Sequence, residues 1–141
     1  MNNNFLISIC IPSYNRPKEL DRLLNSIDNA NKSLIQIVIC EDKAPKRKDV
    51  RVVVENFKTE TSYSVKYVEN VENLGHGANF RECIKKAEGE FIVFMGDDET
   101  FSPVLKSNKK KTFQSAIVNL NIKNKFYKIY IFDIYLLMIF L

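Results

Sequence analysis

The stretch FIVFMGDDE, Phe91–Glu99, decides the fold. Five apolar residues rich in β-branched and aromatic types read as a fully buried strand. Gly96 ends the run, and three carboxylates follow at once: Asp97, Asp98 and Glu99. Two carboxylates about 5 Å apart repel by roughly 3 kcal/mol at an effective dielectric of about 20. Ligands of open α/β sheets sit outside the carboxyl ends of the strands. A strand that delivers this cluster to that end predicts a positive partner there. Hard oxygen donors suit Mg²⁺ or Mn²⁺, ions that commonly bridge to a phosphate. A solvated acidic turn is the other reading of the same residues.

Upstream of this strand, apolar runs alternate with helical stripes. Phe5–Ile11 reads as a first strand and Pro12–Arg16 as the loop after it. Pro17 suits the first position of a helix. Leu20, Leu23, Leu24 and Ile27 then recur at i, i+3, i+4 and i+7, an amphipathic stripe. Ile35–Cys40 is a second strand, followed by Glu41, Asp42 and a turn at Pro45. Val50, Val53, Val54 and Phe57 form a second stripe. Ser64–Glu69 is a third strand and residues 70–77 a polar loop. Phe80, Cys83, Ile84 and Ala87 form a third helical face, with Gly89 as its stop. The order β-α-β-α-β-α-β predicts an α/β fold with a mostly parallel sheet, right-handed crossovers and helices on both faces. Every polar loop then falls at one end of the sheet. That rim collects Tyr14, Asn15, Asp42, Asn73 and the 97–99 cluster.

The composition is that of one globular domain, 45% hydrophobic and 27% charged over 141 residues. The net charge of +4 is unevenly split. Residues 1–104 carry 14 Lys/Arg against 16 Asp/Glu, whereas residues 105–141 carry seven Lys and only Asp133. The basic character belongs to the tail, and no nucleic-acid partner is expected. Cys10, Cys40 and Cys83 lack metal-ligand spacing and read as buried free thiols in a reducing cytosol. No charged start with an apolar core follows Met1, so no cleaved secretory leader is expected.

The rim lacks the usual phosphate cradles. The first loop, Pro12-Ser13-Tyr14-Asn15-Arg16, has no glycine, which excludes a G-x-G-x-x-G dinucleotide site, and no G-x-x-x-x-G-K-[ST] occurs. A different design fits. ISICIPSYNRP (residues 7–17), IVICED (37–42), NLG (73–75) and GEFIVFMGDD (89–98) resemble, in order and spacing, the nucleotide-sugar half of family 2 glycosyltransferases, which have the Rossmann-like GT-A fold. The resemblance covers residues 5–103, and the Gly-Asp-Asp-acid form matches capsule and O-antigen members. It implies that Pro12, Ser13, Tyr14 and Asn15 line the donor nucleotide, with the Tyr14 ring available to stack on the base. It implies that Asp42 accepts a hydrogen bond from the base's ring N–H, a role that suits an acceptor-only carboxylate. Asp97 is implied at the ribose and Asp98 as the ligand of Mn²⁺ or Mg²⁺. Two departures stand out: Gly96 replaces the first Asp of the common Asp-x-Asp motif, and Ala78 stands where relatives often carry Arg. His76 reads as a solvated loop residue and Arg81 as a helix-face charge.

The implied reaction transfers a sugar from a nucleotide-diphosphate donor to an acceptor glycan or lipid-linked sugar in cell-surface polysaccharide synthesis. The family's general base lies beyond the metal motif, in the acceptor-binding half. After Glu99 this chain offers only Asp133, so no catalytic residue is assigned. The alternative is an inactive truncated remnant or a non-catalytic nucleotide-binding module.

These readings divide the chain into a nucleotide-sugar-binding domain, 1–104, and an atypical tail, 105–141. Of the tail's 37 residues, 29 are Lys, Asn, Ile, Phe, Tyr or Leu. That bias fits an out-of-frame or degraded extension of a longer enzyme gene. A divergent strand-rich end is a second reading. Peripheral membrane contact through the apolar run Phe126–Leu141 is a third, because a span needs roughly 20 apolar residues. The expected location is the cytoplasm, at the inner face of the membrane in the third case.

Overall fold

Each apolar run upstream of residue 97 becomes a strand, and each helical stripe becomes a helix. In the computed structural model, residues 5–27 and 32–97 are described with their side chains, and 116–122 and 125–131 by their backbone. The elements are β1 (Ile7–Ser13), α1 (Pro17–Ser26), β2 (Ile35–Glu41), α2 (Arg47–Glu60), β3 (Ser64–Glu69), α3 (His76–Lys86), β4 (Phe91–Phe94), β5 (Ala116–Ile122) and β6 (Lys125–Ile131). The sheet order is β3-β2-β1-β4-β6-β5. Strands β1 to β4 run parallel, β6 joins β4 in parallel, and β5 pairs β6 antiparallel. Strands β5 and β6 both fall within residues 105–141, and the run Phe126–Leu141 begins in β6. Residues 132–141 lie outside the described part. Among the described residues, no helix is long and apolar enough to cross a membrane.

The period-two alternation of the strands splits the core into two layers. Ile9 and Ile11 of β1, with Ile35, Ile37 and Ile39 of β2, pack under Leu20, Leu23 and Leu24 of α1 and Val50 and Val54 of α2. The intervening residues Cys10, Val38 and Cys40, with Ile92 and Phe94 of β4, pack under Phe80, Cys83 and Ile84 of α3. Helices therefore cover both faces. Phe80 meets Phe94 edge-on, with centroids 4.3 Å apart, and this pins α3 over β4. All three cysteines are free and buried in the α3 layer. Burial first, and then the neighbouring Cys40, pushes the Cys10 and Cys83 thiols above their ordinary range, so both stay protonated core residues.

Several boundaries differ from the sequence reading. β2 runs one residue further, to Glu41, β4 stops one residue earlier, at Phe94, and α3 starts at His76, inside the expected 70–77 loop. Two further differences have a clear physical reason. β1 runs two residues later than expected, because Pro12 and Ser13 stay in register with Cys40 and Glu41 of β2. β4 pairs β1 only as far as Cys10↔Phe94, so Pro12 sits where one side of the strand has lost its partner and its missing N–H costs little. The second difference is Gly89. α3 already ends at Lys86, with Ala87 in extended conformation as its cap. Gly89 instead lies flat on β1 and donates from its N–H to Ser8 Oγ at 2.8 Å. A Cβ there would meet the Ser8 backbone nitrogen at 2.6 Å. Gly89→Ala should therefore cost about 1–3 kcal/mol, as overpacking against a backbone does. Urea unfolding measures this, and an unchanged midpoint would remove the close approach as the reason for glycine.

A surface pair ties α2 to β3. Arg51 Nε and Nη2 donate to Glu69 Oε1 and Oε2, both at 2.7 Å. That bond, foremost, holds the Glu69 carboxyl below its ordinary value of 4.5. A lowered carboxyl contributes stability above its unfolded value and loses it as pH falls through its folded value. The pair is largely solvated, so the contribution is small and shrinks with salt. Arg51→Gln should flatten the fall in melting temperature below pH 4.5. An identical acid limb in the variant would exclude the pair as its source.

Candidate functional site

From β1 the chain steps one way through β2 and β3, then returns to the other side of β1 with β4. This reversal opens a crevice at the carboxyl ends of β1 and β4, the usual ligand position in open α/β sheets. The loops leaving β1, β2, β3 and β4 all meet at this rim.

Asp97 ties the β4 exit to the β1 exit. It is buried, and its Oδ2 accepts from the Tyr14 backbone N–H at 3.3 Å. Its Oδ1 lies 3.4 Å from Arg16 Nη1. The Tyr14 backbone is thereby fixed while its side chain stays 47% exposed, a flat aromatic surface at the mouth of the crevice. Asn15 adopts φ 62°, a conformation Asn tolerates better than most residues. Its Oδ1 accepts from the Lys46 backbone N–H at 3.2 Å and so joins this loop to the start of α2. Pro12 is buried inside β1. Ser13 ends that strand, and its Oγ is buried without a hydrogen-bond partner among the described residues.

Asp42 organises the other half of the rim. It is only 2% exposed. Oδ1 accepts from Asn70 Nδ2 at 2.9 Å and from the Leu74 N–H at 2.8 Å. Oδ2 accepts from the Gly75 N–H at 2.9 Å. Gly75, at φ 80°, turns the chain into α3 at this point. The neighbouring Glu41 is fully buried and points the other way. Its carboxylate accepts from the N–H groups of Lys43 at 3.1 Å and Ala44 at 2.6 Å, and from Arg47 Nε. Arg47 also donates from Nη2 to the Asn70 carbonyl. One carboxylate thus shapes the β2–α2 turn, and the next holds the β3–α3 loop.

The structure brings Pro12, Ser13, Tyr14, Asn15, Asp42 and Asp97 to one rim. Asp98 and Glu99 lie outside the described residues. Among the described residues, no cluster of three or more His, Cys, Asp or Glu is placed to hold a metal. Asn73 closes a local turn, its Oδ1 accepting from Gly75 N–H at 3.0 Å. His76 is the exposed first residue of α3, and Arg81 is exposed on the same helix.

Sequence reasoning missed Asn70, Asn79 and the Glu41–Arg47 pair. Asn79 carried a readable signal: it falls on the apolar stripe of α3, four residues before Cys83. A polar residue on such a stripe needs a buried partner. Its Nδ2 donates to the Cys40 carbonyl at 2.9 Å, and its Oδ1 accepts from Asn70 Nδ2 at 2.8 Å.

The family model for glycosyl transferase family 2 matches residues 8–124. The chain is 32% identical over 97 residues to abequosyltransferase RfbV of Salmonella typhimurium, covering 69% of this chain and 29% of that protein. Among solved structures it is similar to S. aureus TarS 1-349 in complex with UDP-GlcNAc, at TM-score 0.62 and 25% identity over 70% of this chain and 28% of that one. It also shares the fold of the mannosyltransferase PcManGT from Pyrobaculum calidifontis, solved with GDP-Man and Mn²⁺, at TM-score 0.65 and 16% identity over 82% of this chain and 34% of that one. The chain spans less than a third of the length of the curated relative. The order of the four strand-end motifs, the family match and the shared GT-A fold agree, and the chain belongs to glycosyl transferase family 2.

Proposed function

We propose that this rim holds the nucleoside diphosphate of a sugar donor, for transfer of the sugar to an acceptor hydroxyl in cell-surface polysaccharide synthesis. The observation that supports it most is the convergence of Asp42 and Asp97 on either side of the β1 exit, where the Tyr14 ring is exposed and Ser13 Oγ is buried without a partner. The Tyr14 ring stacks on the base. Asp42 accepts the base's ring N–H, and Pro12, Ser13 and Asn15 line the loop alongside it. Asp97 stands at the ribose. TarS, 25% identical, was solved with UDP-GlcNAc, which supports a nucleotide-sugar partner.

A divalent ion, Mn²⁺ or Mg²⁺, belongs to the same reading. Asp97 is engaged with the Tyr14 N–H through Oδ2 and with Arg16 through Oδ1. That leaves Asp98, the next carboxylate of the motif, to hold the ion with hard oxygen donors. Such an ion stabilises the negative charge that grows on a departing diphosphate.

Calorimetric titration of UDP with Mn²⁺ and after chelation tests the reading. Chelation should weaken binding about tenfold or more, roughly 1.4 kcal/mol. Asp98→Ala should abolish that dependence, and Glu99→Gln should matter less. Equal affinity in both buffers would remove the metal from the proposal. No binding in either would remove the nucleotide.

A further inference from the structure

A buried polar chain runs from the backbone of β2 to the rim. Asn79 Nδ2 donates to the Cys40 carbonyl, Asn70 Nδ2 donates to Asn79 Oδ1, and the same Asn70 Nδ2 donates to Asp42 Oδ1. The polarity of this chain is forced at its inner end. A carbonyl only accepts, so Asn79 must turn its NH₂ toward Cys40 and its oxygen toward Asn70. Asn70 must then offer its own NH₂, and one hydrogen goes to Asn79 and the other to Asp42. A flipped Asn70 would press its oxygen against two other acceptors. Asp42 Oδ1 is thereby filled, by Asn70 and by the Leu74 N–H, whereas Oδ2 holds only the Gly75 N–H. A carboxylate oxygen accepts about two hydrogen bonds, so the remaining capacity lies on Oδ2.

We propose that Asn79 is a positioning residue for base recognition: acting through Asn70, it fixes the Asp42 carboxylate so that Oδ2 alone faces the nucleotide as an acceptor. The inference rests on the reading of the rim as a nucleotide site. It extends that reading to a residue on α3 that is 2% exposed and bonded to the protein on both ends of its amide. A base with a ring N–H fits the single open acceptor. A base with an unprotonated ring nitrogen at that edge sets a lone pair against it.

The test is the ratio of UDP to CDP affinity, measured by calorimetry on the 141-residue chain and its variants. The wild type should prefer UDP about tenfold or more, the value of a hydrogen bond to a charged group. Asn79→Ala should reduce that preference by about two- to thirtyfold, the range for a residue that acts through another. Asn70→Ala cuts the same chain nearer the rim and should do likewise. Both are measured at about 15 °C, near the usual stability maximum, with a stabilising osmolyte that keeps weakened variants folded. Val54→Ala opens a cavity in the opposite layer and should leave the ratio at its wild-type value. If Asn79→Ala and Asn70→Ala weaken UDP and CDP equally, they are structural residues only and the proposal falls. If the wild type itself shows no preference, base reading by Asp42 fails, and this inference fails with it.

Discussion

Asp42→Asn should both destabilise the fold and abolish tight nucleotide binding. The wild-type carboxylate accepts three protein hydrogen bonds, from Asn70, Leu74 and Gly75. An amide offers one oxygen and one NH₂. With its oxygen toward Leu74 and Asn70, its NH₂ faces the Gly75 N–H; rotated, the NH₂ faces the other two donors. Either orientation sets donor against donor in a buried place. Each unsatisfied buried group costs about 1–3 kcal/mol, so the expected loss of stability is roughly 2–4 kcal/mol. The acceptor assigned to the base is lost as well, a further 1.5–3 kcal/mol or so in UDP affinity. Urea unfolding and calorimetry separate the two. A variant with lower stability but unchanged UDP affinity would make Asp42 a loop clamp and nothing more. A variant unchanged in both would contradict the hydrogen-bond geometry.

Arg47→Met should be the most destabilising single change outside the apolar core. Glu41 is fully buried, and Arg47 is the cation bonded to it. Removal of one partner from a buried pair leaves an uncompensated charge and costs about 3–5 kcal/mol. Two backbone N–H groups would still solvate the carboxylate, which places the expected value near the lower end. The same substitution removes the bond from Arg47 to the Asn70 carbonyl, so the 70–75 loop loosens and UDP affinity falls with stability. Glu41→Gln in the Arg47→Met background should recover only part of the loss: the orphaned charge is gone, but the new NH₂ faces the N–H of Lys43 or Ala44. A cost below about 1 kcal/mol for Arg47→Met would show that the turn's own N–H groups satisfy Glu41.

Much of this architecture was legible before any coordinates. Burial on two faces leaves long apolar runs, and a helix packed on one face leaves a stripe. Both signals were present from Ile7 to Phe94, so the parallel order and the common rim followed. The loops at Tyr14, Asp42 and Asp97 were found because they sit at strand ends, which the runs delimit. What failed to appear was the pairing of polar groups. Asn70 and Asp42 are 28 residues apart, and Asp97 and Tyr14 are 83 apart. Periodicity reports which way a side chain faces, and no periodicity reports which distant donor it meets. Gly89 was misread for the same reason. A glycine after a helical stripe looks like a helix stop, and only the path of β1 beneath it shows the contact that excludes a side chain. The acidic run was readable in the sequence through Glu99, whereas the structure describes it only as far as Asp97.

The position of β1 between β2 and β4 bears on how the chain is made. Ser8 and Gly89, which meet where β4 enters the sheet, are 81 residues apart in sequence. At 5–20 residues per second, synthesis takes on the order of 4–16 s to cover that distance. Within that interval β2 emerges to pair with β1 on one flank and β3 then adds to β2, while the other flank of β1 has no strand to pair with. An unpaired edge that carries Ile7, Ile9 and Ile11 is a template for any other nascent strand. Closure of so long a loop is also slow compared with the local β1-α1-β2 contacts. Released chains that end before Phe91 should therefore expose the seven-residue edge of β1 and self-associate more readily than chains that extend past Phe94, whose open edge is the four-residue β4 until β6 pairs with it.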